Sequence, residues 1–67
     1  MASSDPAAAG KAILEFVRYG NVVKATAVDP ATGVEASIIG PVTASEGELG
    51  RAAVNKLGYL LRRQAGD

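Results

Sequence analysis

A chain of 67 residues with no cysteine and no histidine, in which seven basic side chains balance seven acidic ones, excludes a disulfide framework, a zinc site built on those ligands and any histidine-based catalytic dyad. Zero net charge supplies no field to draw the chain to nucleic acid or an anionic membrane, and no apolar run reaches the ~20 residues that span a bilayer. A domain of this size buries only about 60% of the surface its unfolded chain exposes, so pairing with another chain is the remaining source of added stability.

Residues 1–10 are small and polar and lack the basic and apolar segments of a secretory signal. They read as a disordered or weakly helical leader, with a short helix allowed over residues 6–11, and a cytoplasmic location is the expectation. A single domain over residues 11–67 follows.

The first strand is predicted over residues 12–19, rich in β-branched and aromatic side chains such as Ile13, Phe16, Val17 and Tyr19. It ends at Gly20-Asn21, where Gly at the first central position of a two-residue loop suits a type II′ hairpin turn. The second strand returns over residues 22–28. In Asp29-Pro30-Ala31-Thr32-Gly33, Pro30 pre-sets φ, Asp29 can bond the backbone ahead of it, and Gly33 can take the left-handed position that closes the loop. A third strand over residues 34–39 is predicted to stop at Gly40-Pro41, which with Val42 reads as a long linker suited to exchange of elements between subunits.

These turns set a register. Tyr19 opposite Val22 places Phe16 opposite Ala25 and Leu14 opposite Ala27. One face then carries Leu14, Phe16, Val23, Ala25, Ala27, Val34, Ala36 and Ile38, with small alanines at its centre that let a helix approach closely. That helix is predicted from near Thr43–Ser45, where Thr43-x-x-Glu46 and Ser45-x-x-Glu48 form overlapping capping boxes, to about Gln64. Leu49, Ala53, Leu57 and Leu60, flanked by Ala52, Val54 and Leu61, form its apolar stripe.

The other face carries Ile13, Val17, Tyr19, Val22, Val28 and Ile39 among Glu15, Lys24, Thr26, Glu35 and Ser37. A solvated face holding so contiguous an apolar patch points to self-association, by stacked sheets or exchanged helices.

Residues able to carry chemistry have structural explanations. Glu46 and Glu48 point to different sides of a helix and fit capping. Ser3, Ser4, Ser37 and Ser45 have no histidine to activate them, and Tyr59 fits a rim position with its hydroxyl in water. Gly47, Gly50 and Gly58 each cost a helix about 1 kcal/mol relative to Ala. They form no phosphate loop, and close packing, at Gly58 for instance, accounts for them better. No catalytic residue, metal ligand or cofactor-binding residue is assigned, and no enzymatic activity is expected.

The runs Gly20-Asn21-Val22-Val23-Lys24, Ala27-Val28-Asp29-Pro30-Ala31-Thr32-Gly33, Ser37-Ile38 and Gly40-Pro41, followed by Lys56-Leu57 and Tyr59-Leu60-Leu61-Arg62-Arg63, resemble a small alphaproteobacterial protein family of unassigned function. The resemblance implies a bacterial protein of three strands and one helix that forms a homodimer, and it brings no activity, cofactor or catalytic residue. The reading is therefore an α+β fold, a three-stranded antiparallel meander followed by one C-terminal helix packed on one sheet face. Its expected role is a homodimeric protein–protein interaction or regulatory module with a further, unidentified protein partner. The alternative is nucleic-acid binding through a sheet face or the Arg62-Arg63 helix end, weakened by the valines and the paired Glu15 and Glu35 charges around Lys24.

Overall fold

A computed structural model of the chain describes residues 12–66; the leader expected over residues 1–10, and the helix allowed at 6–11, lie outside them. Three strands, β1 (Ile13–Tyr19), β2 (Val22–Val28) and β3 (Glu35–Pro41), form one antiparallel sheet in the order β1-β2-β3, and a single helix, α1 (Glu46–Gly66), follows.

Gly20 takes φ 59°, which lets two residues reverse the chain and sets Tyr19 opposite Val22, Phe16 opposite Ala25 and Leu14 opposite Ala27. Gly33 takes φ 79° in the second loop. There the Gly33 N–H donates to the Asp29 carbonyl at 2.7 Å and the Asp29 N–H to the Val34 carbonyl at 2.9 Å. The Asp29 carboxylate reaches the backbone indirectly. It accepts the Thr32 hydroxyl at 2.7 Å, and that hydroxyl oxygen accepts the Val34 N–H at 3.2 Å.

β3 does not stop at Gly40-Pro41 but runs through both residues, which pair with Val23 and Val22. The reason lies in which way each peptide faces. Past the strand end, the Val42 N–H donates to the Asn21 carbonyl at 3.0 Å. By alternation, Gly40, Ile38 and Ala36 therefore bond inward to β2, while the odd-numbered residues of β3 face outward. Proline is tolerated on an edge strand where its missing N–H would have faced solvent, and Pro41 occupies such a position. Gly40 has a separate cause, since a Cβ there would lie 2.5 Å from Leu49 Cδ2. The connection to the helix is accordingly the four residues 42–45, shorter than the linker expected.

The helix starts one residue after Ser45. Its Oγ accepts the Glu48 N–H at 3.0 Å while its carbonyl accepts the Leu49 N–H at 3.0 Å, the N-cap arrangement. Of the two candidate caps, Thr43 and Ser45, it is Ser45 that is used. Glu46 and Glu48 in the first turn and Arg63 in the last complement the helix dipole. α1 passes unbroken through Gly47, Gly50 and Gly58 and ends at Gly66, two residues past the predicted Gln64.

Among the described residues the buried core is Ala25, Ala27 and Ala36 from the sheet against Leu49, Ala53, Val54 and Leu57 from the helix. Leu57 is its one large side chain with no exposed surface. α1 lies over β2 and β3 rather than over β1, which leaves Leu14 41% exposed although it belongs to the helix-side face. Leu14 and Phe16 meet the helix near Gly50, where an added Cβ would be 3.1 Å from Leu14 Cδ1 and 3.3 Å from Phe16 Cζ. The close approach anticipated at Gly58 is thus made at Gly50. At Gly58 the nearest atom to an added Cβ is Arg62 Nη1, 3.6 Å away.

Candidate interaction surface

The face of the sheet away from the helix has four rows across its three strands. They read Ile13, Val28, Glu35; then Glu15, Thr26, Ser37; then Val17, Lys24, Ile39; and last Tyr19, Val22, Pro41. Five of the six apolar residues singled out in the sequence are exposed, led by Ile39 at 67% and Tyr19 at 58%; Val28 is half-buried. Register corrects the expectation of one contiguous patch. The second row is a polar belt, closed by a 2.9 Å hydrogen bond between the Thr26 and Ser37 hydroxyls. It separates Ile13 and Val28 at one end from Val17, Tyr19, Val22 and Ile39 at the other, and Lys24 stands inside the larger group.

Among the described residues, Arg18, Lys56 and Arg63 are engaged at separate places. Arg18 lies on the helix-side face, as its parity required, and its Nε donates to the Gly20 carbonyl at 2.9 Å. It lines a shallow cleft beside the helix start with Phe16, Val23, Val42, Glu46 and Leu49. Lys56 Nζ donates to the Ser37 carbonyl at 2.9 Å. Arg63 Nη1 reaches the Tyr59 hydroxyl at 3.4 Å, with the guanidinium 5.8 Å from the ring centroid, which places the half-exposed Tyr59 in a cation–π contact.

The two edges of the sheet differ. Alternation from the Val42–Asn21 bond puts the peptides of Ile13, Glu15, Val17 and Tyr19 inward to β2, and those of Leu14, Phe16 and Arg18 outward. On β3 the outward positions include Pro41, which has no N–H, and Ser37, whose carbonyl is taken by Lys56. On β1, among the described residues, no hydrogen bond occupies the outward groups. The sequence pattern marked β1 through its side chains; the backbone edge was not read from it, although Pro41 carried the signal, because proline on an edge strand reports which parity faces out.

Among the described residues no three His, Cys, Asp or Glu side chains gather where a metal ion would be held, and no helix is long and apolar enough to cross a membrane. The geometry defines a two-layer α+β domain, a β-meander carrying one helix, whose distinguishing surface is an apolar and partly unpaired β1. The model of a family described as a domain of unknown function, DUF6898, matches residues 9–64, and the chain belongs to that family. No curated protein and no solved structure matches it.

Proposed function

We propose that this protein is a small homodimeric module that acts by binding protein, with no catalysis of its own, and that its self-association surface is built on Ile13, Val17, Tyr19, Val22, Val28 and Ile39. The observation that carries the reading is the inverted distribution of apolar side chains. Four of the seven core residues are alanine, while Ile39, Tyr19 and Ile13, far larger, are more than half exposed on the uncovered face. A monomer that buries alanine and exposes isoleucine leaves much of its available hydrophobic stabilisation unused. A second chain recovers it. The family's alphaproteobacterial range, on the resemblance set out above, and a cytoplasmic location belong to the same reading.

Absolute molar mass by light scattering across a dilution series tests it. A mass twice 6.8 kDa that falls only on strong dilution is the expected result. A constant 6.8 kDa mass at high micromolar concentration would refute self-association and turn the same surface into a site for a different protein.

A further inference from the structure

We infer that the second copy joins along the open edge of β1, antiparallel and centred on Phe16, so that the two three-stranded sheets become one sheet of six strands. The inference rests on the homodimer reading above and narrows its surface: Ile13, Val17, Tyr19, Val22 and Val28 face or adjoin the partner, whereas Ile39, on the far strand β3, lies outside the contact.

Three observations carry it. The first is edge asymmetry. Exposed strand edges are normally blunted by proline, lysine or a covering segment, and β3 has both Pro41 and Lys56 in place. β1 has neither, and Leu14, Phe16 and Arg18 present outward N–H and C=O groups that no described residue bonds. The second is the polar belt. Stacking the two uncovered faces would take Glu15, Lys24 and Glu35 out of water together with the Thr26–Ser37 pair, and unpaired buried charge is costly. Edge pairing leaves all of them wet.

The third is self-complementarity. An antiparallel two-fold keeps each residue on its own face, so Phe16 meets the partner's Phe16, Leu14 the partner's Arg18, and Ile13 the partner's Tyr19. Leu14, at 41% exposure, is then covered by the apolar stem of an arginine. On the other face, Ile13 and Val28 of one copy become neighbours of the partner's Tyr19 and the partner's Val22. The two apolar ends that the belt separates within one chain are thereby joined between chains. Glu15 comes to lie across one strand from the partner's Lys24, a complementary charge.

The pairs Leu14 with Arg18, Phe16 with Phe16, and Arg18 with Leu14 each exchange two backbone hydrogen bonds. Arg18→Pro deletes two of these six while sparing the bonds of β1 to β2, which use the odd-numbered residues. The experiment measures dimer dissociation by light scattering for the wild type, Arg18→Pro and Ile39→Lys, together with amide hydrogen exchange at Leu14, Phe16 and Arg18 in the wild type. Edge pairing raises the dissociation constant of Arg18→Pro by about tenfold or more. It leaves that of Ile39→Lys, on the far strand, within about threefold, and protects the three outward amides as strongly as their inward neighbours. A dimer broken by Ile39→Lys and kept by Arg18→Pro, or one with unprotected outward amides, would overturn the edge geometry and leave the homodimer standing. A wild-type monomer would overturn both, and protected amides in that monomer would assign the edge to residues 1–11 of the same chain. The exchange measurement decides the matter if Arg18→Pro does not fold.

Discussion

Leu57→Ala removes the one large side chain among the described residues that is fully buried, and the consequence can be worked from its surroundings. Leucine-to-alanine changes in cores cost about 2–5 kcal/mol, and the cost rises with the volume that neighbours fail to refill. In the buried cluster around Leu57 four residues are Ala25, Ala27, Ala36 and Ala53, which have no rotatable side chain to move into the gap. The loss belongs near the upper end, about 4 kcal/mol. A chain this short has a total stability of about 3–10 kcal/mol, so the variant is partly unfolded at room temperature or close to it. Urea unfolding followed by helix circular dichroism, at one fixed protein concentration because association adds stability, reads the difference directly. Leu60→Ala, half-buried at the end of the same stripe, is the control, with a cost of about 1–2 kcal/mol. A Leu57→Ala loss no larger than that of Leu60→Ala would refute the account of a core that cannot collapse.

Two glycines respond in opposite directions. Gly58→Ala stabilises by about 1 kcal/mol in thermal unfolding, because helix propensity gains and the added Cβ meets only Arg62 Nη1 at 3.6 Å. Gly40→Ala lowers stability by about 1–3 kcal/mol, because its Cβ would press on the buried Leu49; a neutral result in urea titration would show that Leu49 yields freely. Ser45→Ala, which orphans the Glu48 N–H, costs about 1 kcal/mol, and Ser45→Asp, measured beside it, restores most of that.

What the sequence made legible were features written in local chemistry. The demand for positive φ at Gly20 and Gly33 set both hairpins, and their loop lengths placed Ala25 and Ala27 on the helix side and Lys24 and Thr26 opposite. The hydroxyl of Ser45 marked the helix start within a residue. What could not be read depended on relations between elements. Pro41 looked like a stop because only the outward direction of its peptide, known once β3 is an edge, makes it compatible with a strand. Glu15, Thr26 and Ser37 were each placed on the correct face, yet their alignment into one belt emerges only when three strands are laid side by side. The offset of the helix toward β2 and β3, which exposes Leu14, has no counterpart in periodicity.

The sequential strand order has a kinetic consequence. Every neighbour in the sheet is also the next strand in the chain, joined by a turn of a few residues, and the helix returns over the two strands just before it. Such low contact order favours rapid folding without long loop closures. α1 packs mainly on β2 and β3, so β1 is held by its pairing with β2 and by Leu14 and Phe16, which meet the helix at Gly50. As an edge strand held on one side, β1 is the strand whose amides exchange before those of the central β2 when the isolated chain opens.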